Sequence, residues 1–149
     1  ELTVNCAAAL LERAPKYDFL LTAEAKSIPL VQEMARQNGD AHYIVARKGR
    51  KLYMDNPICV GVKSITTEKD QKLYVDQEEM RGKRILIVDD VISTGRSLQA
   101  LEEIAAAAGA DVVGKMAVLA EGDAASRTDI SYLEKLPLFN GKGEPLPFD

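Results

Sequence analysis

The sequence predicts an α/β fold: a doubly wound, mostly parallel sheet with helices on both faces. Short apolar runs alternate along the chain with segments in which apolar residues recur at helical spacing. Strands and helices that alternate in this way are joined by right-handed crossovers, which bring the strands into one parallel sheet. The run Ile85-Leu86-Ile87-Val88 is also too evenly apolar to have one wet face. It predicts a central strand that is covered on both sides.

Length and composition fit one domain over residues 1–149. Of the 149 residues, 46% are hydrophobic and 28% charged, which suffices for one sizeable core. The 19 Lys and Arg against 23 Asp and Glu leave a formal net charge of -4, so we expect neither a nucleic acid nor a membrane as partner. No apolar run approaches the roughly 20 residues that span a bilayer. Two cysteines are too few for a disulfide framework and are compatible with a cytoplasmic location.

The first part of the chain predicts two helices and two strands. Leu2–Arg13 has the apolar period of an amphipathic helix, which Pro15 closes. The apolar residues 19–22 predict a strand, and a small, polar loop then leads into a helical pattern that ends at Asn38 and Gly39. Residues 43–46 predict a second buried strand, with a basic turn at its end.

The second part predicts a hairpin, two strands and a helix. Residues 52–75 lack helical periodicity and alternate in places, which predicts a mobile arm or hairpin. Residues 84–88 form the central strand, and the helix that follows has an apolar stripe from Leu98 to Ala108. Residues 111–119 predict a further strand, and the remaining tail contains several prolines and glycines. Ligands of such sheets bind outside the carboxyl ends of the strands, here residues 23–27, 47–51 and 89–97.

Residues 87–97 carry most of the predicted chemistry. Asp89 and Asp90, the acidic pair, repel each other at the end of a buried strand, which costs free energy unless a cation or a hydroxyl-rich ligand binds there. Residues 93–97, the phosphate loop, combine hydroxyls, a glycine and free backbone N–H groups at a helix N-terminus. A ribose 5-phosphate could bind the acidic pair through its hydroxyls and the phosphate loop through its phosphate. The alternative is a solvated strand end followed by an ordinary N-cap.

Two other protein classes place an acidic pair after an apolar strand. A nucleotide triphosphatase requires a Gly-x-x-x-x-Gly-Lys-Ser/Thr loop, which is absent from this sequence. A response-regulator receiver ends its first strand with such a pair and needs an Asp and a Lys on later strands. Too little correctly spaced chain follows Asp90 to supply them.

Residues 88–95, Val-Asp-Asp-Val-Ile-Ser-Thr-Gly, closely resemble the 5-phosphoribosyl-1-diphosphate (PRPP) motif of the type I phosphoribosyltransferases, purine branch. The resemblance extends over most of the chain. Residues 22–27 are similar to the diphosphate loop of that family, and residues 46–48 to the Arg-Lys pair after the next strand. Residues 64–67 are similar to the end of the flexible loop in xanthine phosphoribosyltransferases. Adenine and xanthine enzymes are the members that the sequence resembles most.

The resemblance implies a role for each matched residue. The acidic pair would hold the ribose hydroxyls, directly or through water bound to Mg²⁺, and would act in catalysis together with Lys26. Mg²⁺ and Lys26 would stabilise the departure of the negatively charged diphosphate. Arg47 would reach the diphosphate of a neighbouring subunit, which implies a homodimer. The whole PRPP site would comprise Ala25, Lys26, Ser27, Arg47, Lys48, Asp89, Asp90, Val91, Ile92, Ser93, Thr94, Gly95, Arg96 and Ser97.

The resemblance also implies a loop over the site, formed by residues 51–63, that keeps water from an oxocarbenium-like transition state. Adenine enzymes carry Glu-Tyr-Gly near the end of this loop, where the present sequence has Ser-Ile-Thr-Thr at residues 64–67. No catalytic Glu is therefore assigned. The N-terminal segment that covers the base in relatives is short or absent, so we expect that it is truncated.

The expected function is that of a purine phosphoribosyltransferase, with adenine as the first choice of base. The enzyme would form a nucleoside 5-monophosphate and diphosphate from PRPP and the base, as in purine salvage. A xanthine or guanine enzyme is the alternative with the same fold. A non-catalytic PRPP-sensing regulator is the alternative of a different class, although such regulators usually carry a DNA-binding domain, which is not evident here.

Overall fold

The computed structural model of the chain describes residues 1–62, 71–137 and 140–146. The helices are α1 (Leu2–Arg13), α2 (Ile28–Asn38), α3 (Gln77–Met80) and α4 (Arg96–Ala107). The strands are β1 (Phe19–Ala23), β2 (Ile44–Ala46), β3 (Pro57–Val62), β4 (Gln71–Asp76), β5 (Arg84–Ile92), β6 (Asp111–Glu121) and β7 (Ser131–Leu136). A 3-10 helix, Gly122–Ser126, follows β6 directly.

The main sheet has the strand order β2-β1-β5-β6-β7, and its neighbouring strands pair in parallel. The predicted fold class is confirmed, and β5 is the central strand as expected. Because the strands are parallel, their carboxyl ends lie along one edge of the sheet. The loops after β1, β2, β5 and β6 therefore meet at that edge.

Two apolar cores flank the sheet, and alternate residues of β5 point into each. Leu86 and Val88 pack with the buried side chains of α1 and α2 on one face. Ile85 and Ile87 pack with those of α4 on the other face. Both faces of β5 are thus covered, which explains why its sequence is apolar at successive positions.

The predicted hairpin is confirmed as the antiparallel pair β3 and β4. Leu73 and Val75 on β4 are buried and join the core of α4, so the base of the hairpin is part of the packed domain. Of the loop expected over the site, residue 63 lies outside the described residues, as do residues 64–67. In the part of the chain that the structure describes, no helix combines the length and apolar character needed to cross a membrane.

Two elements differ from the sequence-based expectation. β5 continues to Ile92, so the acidic pair lies within the strand rather than after it. β7 was not predicted, because it is an edge strand of mixed polarity in which no residue is buried. The sequence of β7 therefore shows no apolar alternation, although the strand pairs with β6 along five positions.

Candidate active site

Three strand ends form one side of the candidate site, and direct contacts connect them. The backbone N–H of Glu24, after β1, donates to the carbonyl of Ala46 on β2 at 2.9 Å. The hydroxyl of Ser27, before α2, lies 2.7 Å from Oδ1 of Asp89 on β5. The structure therefore brings the diphosphate loop (residues 22–27), the end of β2 and the acidic pair together at one edge of the sheet.

Ser27 holds the acidic pair in place. Its side chain is 2% exposed, and its hydroxyl donates to Asp89 while accepting the backbone N–H of Asp90 at 3.0 Å. The Asp90 N–H also lies 2.8 Å from Oδ1 of Asp89, and the Val91 N–H donates to Oδ1 of Asp90 at 2.9 Å. The hydrogen bonds that Ser27 and the backbone N–H groups form with the pair all use its Oδ1 atoms.

The two carboxyl groups titrate very differently. Burial, reinforced by the hydrogen bond with Asp90, raises the pKa of Asp89 from 3.8 to about 7. Burial would also raise the pKa of Asp90, but hydrogen bonds from Asp89, the Val91 N–H and Ser27 outweigh it and lower that pKa. The raised pKa of Asp89 and the lowered pKa of Asp90 therefore favour a pair in which Asp90 is ionised and Asp89 is partly protonated near neutral pH, and a bound cation would favour loss of that proton.

The phosphate loop and Asp89 enclose a common cavity. Its volume is about 120 Å³, roughly that of four water molecules in the liquid, which suits a phosphate group. Gly95 is the N-cap of α4 with a φ of 80°, a left-handed conformation that glycine adopts without strain. The backbone N–H groups at the start of α4 therefore open toward an anion. The cavity is lined by Asp89, Val91, Ile92, Ser93, Thr94, Gly95, Arg96, Ser97 and Leu98.

The predicted PRPP residues differ in what they offer to a ligand. Ala25 and Lys26 are exposed at the mouth of the diphosphate loop, as are Ser93, Thr94 and Ser97 in the phosphate loop. By contrast, Ser27 has its hydroxyl engaged by the acidic pair, and Ile92 packs its side chain into the core. A contact of either residue with PRPP would have to come from its backbone.

Arg47 and Lys48 stand at the end of β2. The backbone of Arg47 forms two hydrogen bonds with Tyr74 of the hairpin, at 2.8 and 2.9 Å. Its guanidinium forms an ion pair with Glu24 at 3.5 Å, within its own chain. Its Nε is buried without a hydrogen-bond partner among the described residues, whereas Lys48 is exposed. Arg47 thus reaches the diphosphate loop of its own subunit in this structure.

Sequence reasoning missed two residues beside the phosphate loop. Glu121, the last residue of β6, accepts a hydrogen bond from the Ser93 hydroxyl at 2.9 Å. Arg127 places Nη1 2.7 Å from the position that a Cβ on Gly95 would occupy. The rule that ligands bind at strand ends would have pointed to Glu121, since β6 adjoins β5. No local sequence signal marks Arg127.

The acidic pair fits Mg²⁺ only in combination with other ligands. Among the described residues there is no cluster of three or more His, Cys, Asp or Glu side chains that could hold a metal ion. Two carboxylates suit a hard cation that keeps several of its waters and binds substrate phosphates. The donor set agrees with the expectation of Mg²⁺ held through water and PRPP.

Comparison with known proteins gives consistent matches. Residues 6–140 match the family model described as the phosphoribosyl transferase domain. The chain is 36% identical over 110 residues to a hypoxanthine/guanine phosphoribosyltransferase from Methanococcus voltae, covering 74% of this chain and 56% of that protein. It is 29% identical over 109 residues to xanthine phosphoribosyltransferase 1 from Clostridium perfringens, covering 72% and 57%. The chain spans slightly more than half the length of these two curated relatives.

The fold also matches solved structures. An adenine phosphoribosyltransferase from Thermoanaerobacter pseudethanolicus superposes with a TM-score of 0.72 at 20% identity, covering 89% of this chain and 80% of that one. The family model and the sequence relatives confirm the resemblance on which the assignment of residues 88–95 rested. The chain belongs to the phosphoribosyltransferase family.

Proposed function

We propose that the protein transfers the 5-phosphoribosyl group of PRPP to a purine base, giving a nucleoside 5-monophosphate and diphosphate, as in purine salvage. The observation that carries the proposal is the cavity of about 120 Å³ in which Asp89 faces the phosphate loop. The cavity places the carboxyl group of Asp89 beside the N-terminus of α4, so a sugar hydroxyl and a phosphate could bind in the same cavity. Free thiols at Cys6 and Cys59 support a reducing compartment such as the cytoplasm.

Binding of the sugar uses groups that the protein already holds in place. The backbone N–H groups of the phosphate loop and the positive end of the α4 dipole bind the 5-phosphate. The Oδ2 atoms of Asp89 and Asp90 accept hydrogen bonds from the ribose hydroxyls. Because Ser27 and the backbone fix both Oδ1 atoms, the carboxyl groups need little reordering when the sugar arrives.

In the reaction, the bond between C1 of the ribose and the diphosphate oxygen breaks, a bond forms between C1 and a nitrogen of the base, and the proton of that nitrogen is released to solvent or to the diphosphate. The ribose gains positive charge in the transition state, which the nearby carboxylate of Asp90 stabilises. The exposed ammonium of Lys26 stabilises the negative charge that develops on the leaving diphosphate. Asp89 and Asp90 would hold Mg²⁺ together with PRPP, and the ion would neutralise part of that same charge.

A specific observation favours a second choice of base. Sequence analysis put adenine first, and the structural neighbour named above is an adenine enzyme at 20% identity. The relatives at 36% and 29% identity are named for hypoxanthine, guanine and xanthine, which all carry an oxygen at C6. Sequence similarity at this level supports a 6-oxopurine as the second candidate.

We further propose that the active form is a homodimer. Leu52 and Tyr53 are exposed hydrophobic side chains close to the basic end of β2, which is typical of a contact surface. In a dimer, Arg47 would exchange Glu24 for the diphosphate bound by the neighbouring subunit. If so, mixing inactive Arg47→Ala with inactive Asp90→Asn subunits will restore part of the activity through hybrid dimers. A monomer in light scattering would contradict the proposal.

The direct test is formation of nucleotide from PRPP, Mg²⁺ and each of adenine, hypoxanthine, guanine and xanthine. We expect PRPP-dependent formation of one or more nucleotides with release of an equal amount of diphosphate. The variant Asp89→Asn/Asp90→Asn is the negative control. PRPP binding without turnover of any base would favour the regulatory alternative, and failure to bind PRPP would contradict the proposal.

A further inference from the structure

The connection between β6 and β7 lies against the phosphate loop and has no role in the mechanism proposed above. Its residue Arg127 reaches Gly95, the N-cap of α4. The guanidinium Nη1 is 2.7 Å from the point that a Cβ on Gly95 would occupy. At this distance a side chain at position 95 would displace the guanidinium or be displaced by it. The contact joins the phosphate loop to a segment that is remote in sequence.

Arg127 is held beside Gly95 by Asp129, which accepts two hydrogen bonds from its guanidinium. Nε donates to Oδ1 at 2.8 Å, and Nη2 donates to Oδ2 at 2.6 Å. Asp129 is held in turn by the ammonium of Lys115 on β6 at 3.0 Å, and Lys115 lies 2.6 Å from Glu102 on α4. Arg127 is therefore tied to both β6 and α4.

The orientation of this network is informative. The two hydrogen bonds to Asp129 use Nε and Nη2, so Nη1 is the end of the guanidinium that faces the phosphate loop. The side chain of Arg127 is only 32% exposed, which limits screening of its charge by water. The 3-10 helix before it is also anchored, since the Tyr132 hydroxyl donates to the Ala125 carbonyl at 2.6 Å.

We propose that Arg127 is a positioning residue for the 5-phosphate of the sugar substrate. It acts through Gly95: it restricts the backbone of the phosphate loop to the left-handed conformation that opens the N–H groups of α4 to an anion. It also directs its cationic Nη1 toward that loop. The inference rests on the proposed function of the phosphate loop and assigns a role to a residue that the PRPP motif does not contain.

The experiment measures the binding of two probes by calorimetry: ribose 5-phosphate for the phosphate loop, and diphosphate for the diphosphate loop. The variants are Arg127→Gln, Arg127→Lys and Asp129→Asn. Arg36→Gln is the matched control, because Arg36 also pairs through its Nε and Nη2 with a carboxylate, that of Glu33, but lies on α2. Thermal unfolding is recorded for every variant.

We expect Arg127→Gln to weaken ribose 5-phosphate roughly tenfold and to change diphosphate binding less than about twofold. Arg127→Lys keeps the charge but not the planar fork, so it should recover part of the affinity. The affinity of Asp129→Asn for ribose 5-phosphate should lie between those of wild type and Arg127→Gln, because Arg127 loses the carboxylate that holds it. In turnover, KM for PRPP should rise while KM for the base is unchanged. The control should match wild type with both probes.

If the affinities for both probes fall equally and in proportion to thermal stability, Arg127 is merely structural. That result would overturn the inference. Unchanged binding of ribose 5-phosphate by Arg127→Gln would do the same. If Arg127→Gln does not fold, the binding of both probes by Arg127→Lys and Asp129→Asn is compared with that of wild type instead. Failure of the wild type to bind ribose 5-phosphate or PRPP would instead overturn the proposed function, and the inference with it.

Discussion

The acidic pair, near the end of β5, is held by hydrogen bonds within the protein, whereas the diphosphate loop presents exposed side chains. Asp89 and Asp90 are fixed by Ser27 and by backbone N–H groups. Ala25 and Lys26, by contrast, are exposed. The difference indicates that the acidic pair is organised before a ligand arrives, whereas Ala25 and Lys26 can reorient when one binds.

The largest effect is expected at the acidic pair. Asp89→Asn combined with Asp90→Asn should weaken PRPP binding more than about 100-fold, because hydrogen bonds to charged groups contribute roughly 1.5 to 3 kcal/mol each. Thermal stability should be nearly unchanged, because each asparagine keeps the Oδ1 atom that accepts the hydrogen bonds of Ser27 and the backbone. Calorimetry with PRPP and thermal unfolding measure the two quantities.

Asp111→Asn is the control for this prediction. Asp111 is an exposed aspartate at the first residue of β6, at the opposite edge of the sheet. Its substitution should leave PRPP affinity at the wild-type value. Unaltered PRPP affinity in the double variant would contradict the assignment of the acidic pair to the ribose.

The next effect concerns the preformed backbone of the phosphate loop. Gly95→Val should weaken ribose 5-phosphate roughly tenfold to a hundredfold, because a β-branched residue is strained at positive φ and its Cβ would meet Arg127. Gly143→Val is the matched control, since Gly143 has a φ of 81° and none of the described residues lies within 4 Å of a Cβ at that position. If both variants lose the same affinity for ribose 5-phosphate, the strain of a β-branched residue at positive φ would explain the result without any contact with Arg127.

A smaller effect is expected in the diphosphate loop. Lys26→Ala should weaken diphosphate binding about threefold to tenfold at low salt, and less at high salt, because the contacts of exposed charges are screened. Its binding of ribose 5-phosphate should be unchanged. Lys142→Ala, which also removes an exposed lysine, is the control. A loss that does not depend on ionic strength would show that Lys26 is more enclosed than the structure indicates.

The smallest effect is the dependence of stability on pH without ligand or Mg²⁺. The pKa of Asp89 is about 7 in the folded protein against an ordinary 3.8, so the folded state binds this proton more tightly than the unfolded chain. The resulting stabilisation is complete below about pH 4 and is lost as the pH rises through 7. Between pH 6 and 8, wild type should lose on the order of 1 kcal/mol relative to Asp89→Asn. If the free energies of unfolding of wild type and Asp89→Asn change equally with pH over this range, the assigned pKa is wrong.

The same two regions show what the sequence could predict. The acidic pair and the phosphate loop are adjacent in the chain, so the sequence alone predicts their chemistry as one motif. The hydrogen bond from Ser27 to Asp89 depends on the pairing of β1 with β5, and the contact of Arg127 with Gly95 depends on where β6 ends. Such contacts are products of tertiary packing. β7 escaped prediction for a related reason, since an edge strand without buried residues has no apolar period.

The most direct test of the account is the position of PRPP in a crystal structure of its complex with Mg²⁺. We predict that the 5-phosphate lies against the backbone N–H groups of residues 93–97, with the ribose hydroxyls on Asp89 and Asp90. The diphosphate should lie beside Lys26, with Mg²⁺ between it and the acidic pair. A complex in which the phosphate loop holds the diphosphate, or in which the ribose does not contact the acidic pair, would contradict the account.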